Sequence, residues 1–466
     1  MLKFRSVNLL SIILFTYLTA QFFFWVFEFG LQTKLGYSDV PISCNLDRCA
    51  LLLKNGGPDY AYYINLANAI NSNNSYIPIS SWLLKAWPPG MGIYYAFLSK
   101  ITFSSSYFLL LHIFIVVIGW SALLTFPILK AQSFKTAVLR ALLAISLIHL
   151  GLFEEWLFSG FVIYSETLGL LLFFGFIVFF SNAQSSSLKQ YSRMKAIAAG
   201  ILLAMAAYVR IVFDLAAVVF LALTLAILFL RLKTKKNSAS QRNSMRAPLI
   251  ISGIFLLLTL PWRLFAYSEL ESNSLTFASN SNGAWVNAWT PTKNWEVGGN
   301  SYFVGVGINH LCVSYPDSCE KLDSLKVIEP NLYMKEGISA ITSNPRPWIE
   351  NRLEVFFNSF KTASNFSFLP YGWILSILFF SYSITSFCVI FLRRRFSFQD
   401  DKHVLITTSI ILTSVTVMPL ILTAFEPRYL YTLVILPWFI LLYTVEGKFS
   451  INKIYSKIRA GFPTKT

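Results

Sequence analysis

Charge is scarce in this chain, and acid scarcer still. Asp, Glu, Lys and Arg make up 13% of its 466 residues, against about 25% in soluble domains. With 55% of residues hydrophobic and 17% aromatic, that shortage excludes a soluble globular protein. Histidine and cysteine are also few. The four histidines are scattered, and no CxxC or His cluster marks a zinc site. No internal repeat is present. Basic residues outnumber acids, 38 to 22, for a net charge of +16. They sit in short clusters between apolar runs, the pattern of cytoplasmic loops in polytopic membrane proteins, so nucleic acid is excluded as a partner.

What is there is a series of long apolar runs. The first, after MLKFR, resembles a signal peptide. It continues through Trp25 and Phe27 to the ~20 residues needed to span a bilayer, which makes it an uncleaved first helix. The runs predict an all-α polytopic fold of about ten transmembrane helices, over 8–27, 103–127, 137–153, 159–181, 196–212, 213–230, 247–266, 369–392, 403–424 and 429–446. Both termini are then cytoplasmic. Residues 1–266 form a transmembrane catalytic core with a first extracytoplasmic loop at 28–102. Residues 267–368 form an extracytoplasmic cap, and 369–466 the last helices and a cytoplasmic tail. The segment RLKTKKNSASQRNSMR (231–246) has no acid and lies inside. Of all the acids, only Asp400, Asp401 and Glu446 fall in cytoplasmic segments. Flipping the chain would put nearly every basic cluster outside, against the insertion bias.

Cys44 and Cys49 share the first outer loop, and Cys312 and Cys319 the second. Disulfides persist on that side, so 44–49 and 312–319 are disulfide candidates. Cross-pairing and free thiols remain open. Trp285, Trp289 and Trp295 suit either stacking on sugar rings or an aromatic belt at the interface.

The stretch Asn55–Gly90, NGGPDYAYYINLANAINSNNSYIPISSWLLKAWPPG, is polar, Asn-rich and aromatic, with one acid, Asp59, and a Trp-Pro-Pro-Gly end that turns the chain into the second helix. Charged residues near membrane depth are costly and therefore functional candidates. They gather on the outer side: Asp59, Glu154, Glu155, Glu166, Arg210, Asp214, Arg263 and Arg428. Acids and arginines at one face suit a site that grips an anionic phosphate in bidentate fashion and deprotonates a hydroxyl with a carboxylate. Each also has a plainer reading. Glu154 and Glu155 suit solvated loop charges. Arg210 and Asp214, four apart, suit a pair on one helix surface. Arg263 and Arg428 suit arginines reaching up to headgroups.

These residues resemble a family, the integral-membrane glycosyltransferases of the C superfamily, in the branch holding the protein O-mannosyltransferases and the lipid A aminoarabinose transferase. The likeness rests on PDYAYYINLANAI and WPPGMGIYYAFLS in the first loop and on the Ser-Glu-Thr-Leu-Gly run at 165–169. It rests further on GILLAMAAYVRIVFDL at 200–215, TLPWRLFAY at 259–267 and EPRYLYTLVILPW at 426–438. It covers residues 1–267 and, beyond them, mainly topology. The first-loop acid here is a single Asp followed by Tyr60, where many relatives have Asp-Glu.

The resemblance implies transfer of a sugar from a polyprenyl-phosphate donor to a hydroxyl of an extracytoplasmic lipid, glycan or protein acceptor. The anomeric carbon is inverted, in the service of a cell-envelope glycan such as lipopolysaccharide. It makes Asp59 the general base, with Glu154 or Glu155 as a second acid and Tyr60 and Glu166 nearby. Arg210, Arg263 and Arg428 become candidates for the donor phosphate. If a divalent metal serves as cofactor, Asp59 and Glu155 are left to hold it. The expected location is a bacterial inner or plasma membrane, with the isoprenoid tail between helices. A polysaccharide polymerase or ligase shares many helices and arginines, but the acid-bearing loop directly after the first helix speaks against it. A lipid-linked glycan transporter would show repeats and midplane charges.

Overall fold

A computed structural model describes residues 2–26, 58–71, 88–102, 108–149, 165–185, 189–234, 239–269, 289–290, 308–309, 315–318, 330–350, 353, 435, 439 and 442–443. In these residues the chain is helical. The helices are α1 (Leu2–Trp25), α2 (Pro58–Asn71), α3 (Gly90–Ile101), α4 (Phe108–Leu129), α5 (Phe134–Leu147), α6 (Ser165–Ser185), α7 (Lys189–Val209), α8 (Ile211–Thr234), α9 (Ala239–Ser268) and α10 (Pro330–Ser343). The exceptions are a 3₁₀ turn at Pro316–Ser318 and a two-residue antiparallel pairing of Trp289–Thr290 with Ile308–Asn309.

Among the described residues, four segments are long and apolar enough to cross a bilayer: Ser6–Trp25, Phe108–Leu129, Gln190–Val209 and Met245–Ser268. The chain is therefore a helical membrane protein. Helix ends do not follow the ends of apolar runs. The helix predicted over 247–266 begins at Ala239, eight residues earlier. The helix predicted over 103–127 is α4, described from Phe108 onward, and it follows a separate helix, α3. The segment predicted as an outer loop at 28–102 thus contains two helices, α2 and α3.

Packing fixes the relative directions of α4, α6, α7 and α8. Trp120 of α4 donates its indole N–H to the Thr167 carbonyl at 3.3 Å, and Lys130 at the other end of α4 bonds Asn182. So α4 runs alongside α6 in the same sense. Phe213 stacks on Phe173 at 4.9 Å, while Phe220 meets Phe176 and Phe180 edge-on. So α8 also runs with α6. Between them α7 runs the opposite way: Ser192 at its start bonds the Ala183 carbonyl near the end of α6.

Helices in lipid associate by close packing, which favours small residues at contacts. The buried face of α7 carries Ala196, Ala199, Ala204, Ala206 and Ala207. At Gly200 an added Cβ would stand 2.8 Å from Cβ of Ile254 on α9. This small-residue helix touches α3, α6, α8 and α9 at once. Among the described helices it is the centre of the bundle, and its C-terminal end is where the described polar residues collect.

Candidate functional site

The site forms where α7 gives way to α8. The helix breaks at Arg210 alone. Its N–H still reaches the Ala206 carbonyl at 2.8 Å, but its own carbonyl is taken by Phe213 N–H at 3.1 Å, a tighter turn that restarts the helix. The break puts the Arg210 side chain at the end of two helices. There its Nη1 donates to Ser165 Oγ, the first residue of α6, at 3.0 Å. Ser165 Oγ also accepts from the Tyr63 hydroxyl of α2 at 3.2 Å. Three segments distant in sequence meet on one serine oxygen.

Asp59 belongs to α2. Pro58 occupies the first helical position, where its missing N–H costs nothing, and an acid in the first turn is favoured by the helix dipole. Asp59 precedes Tyr63 by four residues in α2, about one helical turn. α2 is held at its other end by α3. Asn71 Nδ2 donates to Ser99 Oγ at 2.6 Å and to the Ala96 carbonyl at 3.4 Å.

The Pro-Pro-Gly end of the stretch, residues 88–90, arrives at the same place. Gly90 opens α3 against the backbone of Tyr208, where a Cβ would strike the Tyr208 carbonyl. Glycine is needed there for close approach. The expectation that this end turns directly into the second membrane helix is corrected: it starts α3, and α4 follows. Next to α3, the buried His112 faces Tyr94, with 3.3 Å between His112 Nδ1 and the phenol oxygen. Burial pushes the Tyr94 phenol up, so it keeps its proton.

A second polar contact lies one turn along α8. Asp214 accepts from Arg263 Nη2 of α9 in a buried ion pair, and Arg263 Nε donates to Thr259 Oγ1 at 3.4 Å. The guanidinium lies over the Phe255 ring at 5.8 Å. Asp214, four residues after Arg210, thus has a partner on α9, and the helix is broken at Arg210. Arg263 is 9% exposed; its guanidinium lies in the bundle among Asp214, Thr259 and Phe255. Tyr208 donates to the Leu258 carbonyl of α9 at 2.9 Å, which ties the two contacts together.

Among the remaining site residues, Tyr60 follows Asp59 in α2, and Glu166 is the second residue of α6. The side chains of Asp59, Tyr60 and Glu166 lie outside the described part. Glu154, Glu155, Arg428, Cys44, Cys49, Cys312 and Cys319 lie outside the described residues, as do Trp285 and Trp295. The metal expectation on Asp59 and Glu155 therefore has no geometry here. Tyr63, Ser165 and Thr259 were not singled out from sequence. Tyr63 had a signal, its spacing of four from Asp59, and Ser165 opens the quoted SETLG run. Thr259 had none.

No family model matches the chain, and neither a curated protein nor a solved structure matches it.

Proposed function

We propose that the protein is a membrane glycosyltransferase that moves a sugar from a polyprenyl phosphate to an acceptor hydroxyl outside the cytoplasm. The observation that carries this reading is the junction on Ser165. It links a strong cation, Arg210, through Ser165 to Tyr63, four residues after Asp59 in α2, at the end of a membrane helix bundle. In the proposed step the acceptor oxygen attacks the anomeric carbon, and its proton passes to the Asp59 carboxylate. The bond from that carbon to the phosphate oxygen breaks, and polyprenyl phosphate leaves with the electron pair. Configuration inverts. Arg210 stabilises the phosphate charge as it develops, which is where prearranged donors contribute most.

Arg263 and Arg428 remain candidates for the same phosphate. Arg263 contributes a weaker field, since Asp214 stands against it. The proposed topology keeps about ten spans with both termini cytoplasmic. Lys130 and Arg193 lie at the end of the bundle opposite Arg210, as basic residues do on the cytoplasmic side, which supports an outward-facing site. The donor tail then lies between helices, and the acceptor is a lipid, glycan or protein of the cell envelope.

Asp59→Asn tests the reading. A folded, inserted variant should lose about 10²–10⁴-fold in transfer rate, measured as polyprenyl phosphate released from donor lipid extracted from the source cell's membranes. Full activity of that variant would sink the mechanism.

A further inference from the structure

The transfer reading assigns roles to Asp59 and Arg210 but leaves unexplained how two residues 151 positions apart hold a fixed separation. Resting on that reading, we propose that Ser165, with Tyr63, is a positioning pair: it clamps the helix bearing Asp59 against Arg210 and so sets the distance between base and cation.

The geometry supports a clamp over ordinary core packing. A serine oxygen has two lone pairs, and here both are occupied, by the Tyr63 hydroxyl at 3.2 Å and Arg210 Nη1 at 3.0 Å. The serine's own proton must then point toward a third acceptor. Tyr63 and Ser165 are 3% and 1% exposed, so water does not replace either bond at no cost. The anchoring of α2 is two-ended. Its C-terminal half is fixed to α3 through Asn71 and Ser99, and through Leu66 packed against Gly92. Its N-terminal half, which carries Asp59, is tied through Tyr63 to Ser165. Releasing the Ser165 end leaves the α3 end in place. α2 then pivots, and the displacement is largest at Asp59. The expected result is a misplaced base in a protein that remains folded.

Arg210 is coupled to the same oxygen, so one change loosens both partners. A displacement of about 1 Å costs on the order of 10²-fold in rate when the reacting groups depend on orientation. Arg210 is proposed to meet the phosphate chiefly as its charge develops in the transition state, so the loss should fall on kcat more than on donor KM.

The test uses the full chain in lipid nanodiscs, with polyprenyl-phosphate sugar extracted from the source cell's own membranes as donor. Ser165→Ala and Tyr63→Phe should each lower kcat by about 10²-fold with donor KM within a few-fold of the parent. Ser165→Thr, which keeps the hydroxyl, should recover most of kcat. If Ser165→Ala fails to fold, Tyr63→Phe and Ser165→Thr carry the same comparison. Parent-like kcat in Ser165→Ala or Tyr63→Phe, beside an inactive Asp59→Asn, overturns the clamp alone. So does a loss confined to KM, or a Ser165→Thr no better than Ser165→Ala. A fully active Asp59→Asn overturns the transfer reading and the clamp with it.

Discussion

The two ends of the helix bundle use their polar side chains differently. At the end away from Arg210, side chains bond mainly to backbone carbonyls. Pro127 has no N–H, which leaves the Leu123 carbonyl of α4 without its helical donor, and the Tyr443 hydroxyl supplies one at 2.9 Å. Arg140, buried on α5, donates to the Pro127 carbonyl at 2.5 Å and to the Tyr443 carbonyl at 3.2 Å. Ser192 bonds the Ala183 carbonyl at 2.7 Å. At the Arg210 end, beside the Tyr208 and Trp120 bonds to carbonyls, a run of side chains meets side chains: Tyr63 with Ser165, Ser165 with Arg210, Asp214 with Arg263, Arg263 with Thr259. A backbone carbonyl inside a membrane must be satisfied wherever the chain goes, so the first kind of bond repairs the fold. The second kind joins groups that had no local need of each other. Substitutions should therefore act on stability at one end and on both stability and activity at the other.

The largest expected effect on stability is at Asp214. Asp214→Ala leaves Arg263 as a buried charge without its carboxylate, which costs about 3–5 kcal/mol. Thermal unfolding in detergent should show a marked fall in midpoint. Replacing both partners, Asp214→Leu with Arg263→Met, should recover most of that loss, since apolar pairs of similar volume commonly match a buried ion pair. If Arg263 also grips the donor phosphate, transfer stays impaired in the restabilised double variant. Parent-like transfer there would confine Arg263 to a structural role.

Arg140→Met comes next. It deletes two charge-assisted bonds to carbonyls, each worth about 1.5–3 kcal/mol, partly offset by no longer burying a charge. The expected net loss is about 2 kcal/mol, with transfer per folded molecule unchanged. A selective loss of activity would break the division between the two ends.

Gly90→Ala should cost about 1–3 kcal/mol, the range for overpacking, because the obstacle is the Tyr208 carbonyl and a backbone cannot swing aside. Tyr208 is two residues from Arg210, so transfer should fall as well. A loss of stability with kcat unchanged would separate the Trp-Pro-Pro-Gly end from the site.

How much of this was legible in the sequence varies with the physics behind each feature. The membrane helices were legible because a span needs about 20 apolar residues, and α1, α4, α7 and α9 supply them. Their ends were not, because hydropathy reports where lipid ends and hydrogen bonding reports where the helix ends. α9 therefore begins at Ala239, inside a segment read as a basic loop. α2 and α3 were missed as helices for a related reason: they are 14 and 12 residues long, too short to span and set among asparagines and prolines. Arg210 stood out as a charge in an apolar run. The pairing of Asp214 with Arg263 did not, because the two stand 49 positions apart on different helices. Ser165 was invisible as a junction, since a single serine carries no signal until three helices close around it.

The smallest expected effect is the most direct probe of repair at the far end. Tyr443→Phe removes one hydroxyl and keeps the ring, which lies 4.7 Å from the ring of Phe439. The Leu123 carbonyl then loses the donor that stood in for the absent N–H of Pro127. Hydrogen bonds between membrane helices average about 0.6 kcal/mol and reach about 1.7 kcal/mol. The upper part of that range is expected here, because the carbonyl is already short of its helical partner. Pairing the change with Pro127→Ala gives the decisive comparison. Alanine restores an N–H for Leu123, so the hydroxyl becomes redundant and Tyr443→Phe should cost close to nothing in that background. An unchanged cost with alanine at position 127 would mean that Tyr443 stabilises the bundle through something other than the carbonyl that proline leaves open.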